Sequence, residues 1–518
     1  MVHESRQYRL LLSAALACIH LLAWGAHAGD QPQWGQRHTR NMVSSETSLV
    51  DNPDPATGKD VKWIVSLGSE SWATPVVADG KILIGTNNDP PRDPRHKGDR
   101  SILLCLDEKD GGLRWQLVVP KLGPDPYLDW PRDGLVSPAS VEGNRVYVLS
   151  NRNEVVCLDL EGQRNGNDGP YLDEGRHMVP GGAAALDVTP MDADILWLFD
   201  IPGQAGTYPH DAAHGSILID GDFLYVNTSN GVDNTHRKIR APDGPSLIVL
   251  DKKTGRLLAR DDERIGPRIF HSTWSSPAMG IVAARKLVFF AGGDGVLYAF
   301  DALEMAPPAG RVEKLKRVWR FDGDPTAPKE NVHQYIGNRG ESPSNVKSVP
   351  VFQQDRVYLT LGGDIWWGKN KAWLKCIDAT QTGDITSTGL AWSYELTGHC
   401  CSTPSVWGGM VFVADCGKQV HCVDAQTGKA YWTHDAEGEI WASTLVADGK
   451  VYVGTRRGVL WVLAAGREKK VISRAQLDSG IAGTPVAANG VLYITTGRKL
   501  YALQKQGGAA QSNGWTAF

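Results

Sequence analysis

The chain has 518 residues, 54 Lys+Arg against 58 Asp+Glu for a formal charge of -4, and 42% hydrophobic residues. The basic surplus of a nucleic-acid binder is missing, and the apolar content is too low for a chain of many membrane spans. The 57 glycines and 18 tryptophans suit many tight turns and large aromatic contacts.

In chain order, residues 1–28 read as a signal peptide. Arg6 and Arg9 precede an apolar run from Leu10 to about Trp24, and Ala26-His27-Ala28 is a small-residue cleavage pattern. The run is short for a membrane span, so the reading favours export over an uncleaved anchor. A lipid-anchored form through Cys18 is the weaker alternative, because the preceding Leu16 is unusual there and the apolar run continues past Cys18. No later stretch is long enough to span a bilayer, so the mature chain is expected to be periplasmic or extracellular. Residues 29–60 form an N-terminal segment without a repeat.

From residue 61 to 505 one phrase recurs: a small residue with Thr-Pro or Ser-Pro, a short apolar strand, a Gly turn, a second strand, a third ending in Asp, then Thr-Gly and a Trp. The clearest copy runs Ser402-Thr403-Pro404, Met410 to Val413, His421-Cys422-Val423-Asp424, Thr427-Gly428-Lys429, Trp432. The apolar runs are of strand length, and Asp with Gly is turn chemistry. Four hairpin-linked strands per copy make one propeller blade.

Eight copies open near Ala73, Ser137, Gly215, Ser276, Val349, Thr403, Ser443 and Thr484. The last lacks its Trp strand, and Lys62-Trp63-Ile64-Val65-Ser66, ahead of the first copy, supplies a candidate closing strand. The expectation is an all-β, eight-bladed propeller closed by an N-terminal strand, with seven blades as the alternative, then a tail over 506–518.

The recurring phrase resembles the pyrroloquinoline-quinone-like (PQQ-like) propeller repeat over about Trp63 to Leu503, and it lacks the G-H…W-D pairing of WD40 repeats. The resemblance implies one of two function classes. One is a non-catalytic propeller that holds a protein, peptide or glycan partner. The other is a quinoprotein alcohol or sugar dehydrogenase using PQQ with calcium in the central funnel. A third reading, a His-rich metal-binding propeller, comes from the residues themselves. The first accounts best for the absence of matched dehydrogenase residues.

Residues just before each opening strand surround one mouth of a propeller channel. Here they are Glu70, Trp72, Arg132, Asp133, His210, His214, His271, Trp274, Arg339, Glu341, His399, Cys400, Cys401 and Trp441. Such side chains, scattered in sequence, can converge as a ligand, cofactor or metal site; the alternative is a solvated rim with buried structural histidines. Imidazoles of His210, His214, His271 and His399 suit transition metals if they are neighbours. Adjacent Cys400 and Cys401 can close a strained disulfide ring, which in quinoprotein dehydrogenases lies against the quinone. Separate thiols are the favoured reading, because "GHCCSTPSV" and its place in the sixth blade differ from the dehydrogenase version.

Cys105, Cys157, Cys376 and Cys422 occupy one place in four blades and read as small buried residues. Pairing of this row with Cys416 is possible but not favoured. The loop over residues 89–100 reads as a solvated loop and residues 165–175 as a weak calcium candidate, while residues 322–345 are long enough to arch over the mouth. Neither a covalent-haem C-x-x-C-H nor a hydrolase, zinc-protease or P-loop motif occurs.

Overall fold

A computed structural model describes residues 29–505 apart from residues 124, 126, 212 and 213. The signal-peptide and tail readings fall on residues outside those described. No helix among the described residues is long and apolar enough to cross a membrane.

Eight antiparallel sheets form an eight-bladed propeller. The sixth blade shows the pattern: Ser405–Trp407 nearest the axis, then Met410–Ala414, Gln419–Asp424 and Ala430–Asp435 outward. The third and fourth blades each add a short fifth strand in parallel, Glu313–Lys314 and Gly383–Asp384. The ring closes as the sequence predicts. Val61–Ser66 is the outer strand of the eighth blade, with Trp63 opposite Ala502 and Val65 opposite Leu500. Closure leaves no open end to the array.

The repeat phrase has a packing reason. Each closing-strand Trp lies across the sheet from a small residue: Trp115 from Cys105, Trp197 from Cys157, Trp319 from Ala299, Trp392 from Cys376 and Trp432 from Cys422. The small side chain leaves room for the indole. Four of these indole N–H groups then donate across to the next blade: Trp115 to the Leu160 carbonyl, Trp319 to Ala379, Trp392 to Ala425 and Trp432 to Gly466. The Thr-Gly turn of one blade rests on the Trp of the blade before it. Gly428 has φ +70°, and a Cβ there would stand 2.6 Å from Cε3 of Trp392. Glycine is needed at this turn for both its conformation and its missing side chain. Gly428→Ala should cost about 1–3 kcal/mol by overpacking and strain. A urea midpoint lowered without a change in slope would show it, and an unchanged midpoint would refute this account of the turn.

Each innermost strand starts at one mouth of the channel and ends at the other. At its end lies the chain between Gly29 and Glu46, which bonds to all eight blades. Amides of Val77, Val141, Met279, Phe352 and Val446 donate to carbonyls of Gln31, Pro32, His38, Thr39 and Met42. Arg40 reaches Ser216, Asn41 reaches Val406, and the Glu46 carboxylate takes the amides of Asn489 and Gly490. Short inner strands, otherwise edges with unpaired amides, gain partners this way. The other mouth, where the inner strands begin, holds the recess described next.

Candidate functional site

Seventeen residues line a recess of about 510 Å³ at that mouth. Segments preceding the innermost strands supply Trp72, Asp133, Asp211, His214, His271, Trp274, Lys347, Cys401 and Trp441. A second set comes from the loops joining second to third strands, which emerge at the same face: His236, Trp366, Trp367 and Arg456. Tyr127 and Trp130 come from the connection between the first two blades.

Tryptophans make one wall. Trp72 stacks near Trp441 at 5.6 Å between ring centroids, Trp441 meets Trp366 at 5.9 Å, and Trp366 meets Trp274 at 5.8 Å. Two cations lie on these faces. The Arg456 guanidinium sits 4.0 Å from the Trp441 ring centre and 4.9 Å from that of Trp72. Lys347 Nζ lies 4.5 Å from the Trp274 ring centre. Cation–π attraction holds such groups in place without neutralising them. Lys347 is neutralised by Asp364 at 2.7 Å, whereas the nearest carboxylate to Arg456 is Glu439 at 3.9 Å.

Histidines stand against this wall, His271 with ring centroids 4.9 Å from Trp274 and 5.5 Å from Trp366, and His236 4.9 Å from Trp367. His210, His236 and His271 are all buried, with His210 Nε2 3.1 Å from His236 Nε2. One ligand atom from each of the three lies within 4.8 Å of the others. Their outer nitrogens are anchored: His210 Nδ1 on the Val232 carbonyl at 2.9 Å, His271 Nδ1 on the Asp364 carboxylate at 3.1 Å. Asp364 is itself fully buried and also accepts from Asn345 and from the Trp366 and Trp367 amides. Despite its burial, the Lys347 charge and the hydrogen bond from His271 hold its carboxyl well below the usual range. Burial, with the neighbouring imidazoles, pushes His210 down to about 2, so its ring is neutral. Burial also raises Asp133 to about 7 and Asp211 to about 6. A second group of possible ligands, Asp93, His96 and Asp192, is tied up by Arg95, whose Nη2 lies 2.6 Å from Asp93 and 3.1 Å from Asp192.

Of the residues proposed from sequence, Trp72, Asp133, His214, His271, Trp274, Cys401 and Trp441 line the recess, and His210 stands behind His236 and His271. His214 turns its Nε2 to the Asp211 carbonyl at 2.8 Å and is not part of the histidine cluster. His399 is also apart from it, bonded to Gly363 and Asn370. Arg132 is paired outside with Asp89 at 3.4 Å, and Glu70 and Glu341 do not reach the recess. Arg339 supports it indirectly by donating to the carbonyls of Ile365, Trp366 and Gly368, which fixes the paired tryptophans. The long connection over 322–345 thus braces the mouth. Cys400 is turned into the sixth-blade core, its thiol 3.2 Å from the Ala414 carbonyl. Cys401 faces the recess and hydrogen-bonds with Cys416, which lowers the Cys401 thiol and raises that of Cys416. All seven described cysteines are free, so no vicinal ring forms.

Residues 316–513 match a family model described as outer membrane protein assembly factor BamB, and over those residues the PQQ-like repeat read from the sequence is shown. Among characterised proteins, the quinohemoprotein alcohol dehydrogenase of Comamonas testosteroni is 32% identical over 108 residues, 18% of this chain. The quinohemoprotein alcohol dehydrogenase ADH IIB of Pseudomonas putida is 32% identical over 148 residues, 25% of this chain. The matched stretches span only 15% and 21% of those two proteins. The solved quinohemoprotein alcohol dehydrogenase ADHIIG of Pseudomonas putida HK5 superposes with a TM-score of 0.57 at 12% identity, covering 94% of this chain and 82% of that one. BamB from Moraxella catarrhalis superposes at 0.50 and 14% identity, covering 86% and 97%. These likenesses establish the fold.

PQQ with calcium, implied by one branch of the resemblance, does not fit the residues present. Cys400 is packed away from the recess, so the disulfide ring expected over the quinone is not formed. The converging donors are imidazole nitrogens, whereas calcium takes six to eight oxygens.

Proposed function

We propose that this PQQ-like repeat propeller is an exported binding protein that takes a small ring-bearing carboxylate into the tryptophan-walled recess at one mouth of its channel. The observation that carries the reading is the set of four contacting tryptophans, Trp72, Trp441, Trp366 and Trp274, with Arg456 and Lys347 laid over their faces. Indole faces bind flat rings, and stacked cations attract an anionic group while leaving those faces in place. Arg456, the less neutralised of the two, is the anchor for the carboxylate. A small ligand is favoured over a protein or peptide partner because most of these aromatics line a recess and not a flat apolar patch. Export rests on the basic start, apolar run and Ala26-His27-Ala28 pattern.

Tryptophan fluorescence tests the reading. Planar aromatic carboxylates, PQQ among them, and uronic-acid oligosaccharides are titrated into the purified mature chain. One class should give saturable quenching, and Arg456→Gln should weaken it about tenfold, near the 1.4 kcal/mol of one charge-assisted contact. A folded protein that responds to neither class, and is retained instead by a partner protein, would overturn it.

A further inference from the structure

We infer that His210, His236 and His271 form a transition-metal centre at the base of the recess, with the Asp211 carboxylate beside it. The inference rests on the ligand-pocket reading only for what the ion would face. Its own support is geometric.

Consider where each imidazole proton lies. His210 Nδ1 faces the Val232 carbonyl, which can only accept, so that nitrogen carries the hydrogen and Nε2 presents a lone pair. His271 Nδ1 faces the Asp364 carboxylate, with the same consequence for its Nε2. That Nε2 is buried and has no hydrogen-bond partner, on a side chain only 2% exposed. A buried polar atom without a partner costs about 1–3 kcal/mol, a cost that coordination of an ion would remove. Two anchored lone pairs and the Nε2 of His236 therefore face one small volume, one ligand atom of each ring lying within 4.8 Å of the others, and the two Asp211 oxygens flank it.

The spacing suits one ion. Nitrogen ligands lie about 2.0–2.1 Å from zinc in a tetrahedral site, which puts neighbouring ligand atoms roughly 3.3 Å apart. Here His210 Nε2 is 3.1 Å from His236 Nε2 and 3.5 Å from Asp211 Oδ1. His271 Nε2 is 3.7 Å from Asp211 Oδ2. Small side-chain adjustments would complete the shell. The backing is also that of a metal site: a carbonyl behind His210, and behind His271 a buried carboxylate held by Lys347 and Asn345. Three imidazoles select a first-row divalent metal such as zinc, copper, iron or cobalt over calcium or magnesium. Asp211 lies beside His210 and His271, and an incoming carboxylate would join the shell from the recess side. A buried His–His hydrogen bond alone would account for the His210–His236 contact. It would not account for the third lone pair and the carboxylate beside it.

The experiment uses the mature chain, stripped with chelator and then loaded separately with zinc, cobalt and calcium before removal of free ion. The expected result is about one equivalent of zinc or cobalt per chain, visible d–d absorption of low-coordinate cobalt, and a raised melting temperature. His271→Asn and His236→Asn should each abolish the cobalt spectrum, while His399→Asn keeps it. Asp364→Asn should weaken cobalt about 10- to 100-fold, as loss of the group behind a ligand does elsewhere. No stoichiometric transition metal in the folded chain, retention of calcium only, or an unchanged cobalt spectrum in both histidine variants would overturn the inference. Fluorescence titration of the chelator-stripped protein separates this from the pocket reading. Quenching by the carboxylate without metal uptake defeats the metal centre alone, and metal uptake without quenching defeats the proposed ligand alone.

Discussion

Arg40→Ala should lower the stability of the propeller by about 3–5 kcal/mol, the combined cost of a core cavity and orphaned carbonyls. Arg40 is fully buried with no carboxylate beside it. Its guanidinium is satisfied by oxygens alone: the carbonyls of Trp34, Ser216 and Pro277 and the Ser216 hydroxyl, each at 3.1 Å. Two terms oppose each other. Burial of the charge pushes the group down to about 9, which disfavours the folded state wherever the side chain is protonated. The four hydrogen bonds to a rigid fork offset this, and they tie the N-terminal segment to the third and fourth blades. Removing the whole side chain deletes the fork and leaves a hole, so the loss dominates. Arg40→Met fills the hole and removes the charge, and should lose only about 1–2 kcal/mol from unsatisfied carbonyls. Urea unfolding of both variants is the measurement, with protease cleavage within residues 29–50 as a local readout. A methionine variant as weak as the alanine one would mean that the fork itself, more than the filled volume, sustains the segment.

The propeller was legible in the sequence because its packing rule is local and repeated. Trp opposite Cys or Ala, followed by a Thr-Gly turn under the next indole, leaves the same phrase in blade after blade. Closure by Val61–Ser66 could be read from a missing strand at one end and a spare strand at the other. The recess was half legible. The segments ahead of each inner strand reach the mouth, which drew attention to Trp72, Asp133, His271, Trp274, Cys401 and Trp441. The loops between second and third strands emerge at that same face by the alternation of strand direction, yet they follow no common phrase. His236, Trp366, Trp367 and Arg456 sit in such loops and were missed, although an adjacent Trp-Trp pair on a loop was a signal in itself. Cys400 shows the opposite failure. Neighbours in an extended chain point to opposite sides, so only one of Cys400 and Cys401 faces the recess. The N-terminal segment carried no signal, since its backbone bonds use groups that any sequence offers and its side-chain bonds come from scattered residues such as Arg40, Asn41 and Glu46 that follow no repeat.

Trp441→Ala should weaken the ring-bearing carboxylate about 10- to 100-fold, because Trp441 touches Trp72, Trp366 and Arg456 and its loss releases all three. Binding should also depend on pH through Asp133. This carboxyl lines the recess and is raised to about 7, by burial first and then by Glu70, Asp211 and Asp129, against the lowering effect of Lys121. The sign follows from the direction of that shift. Below pH 7 the group is neutral and does not oppose an anion; as pH rises through 7 it ionises and repels the ligand carboxylate. Affinity should therefore fall about tenfold between pH 6 and 8, of the order expected for two like charges in a partly shielded recess. Asp133→Asn should remove the part of the fall centred on pH 7, leaving the smaller change from Asp211, which is raised to about 6. If the wild-type affinity is flat while the asparagine variant binds equally well, Asp133 does not face the ligand. If affinity instead rises with pH, the ligand is a cation, and the two carboxylates of the recess are its partners in place of Arg456.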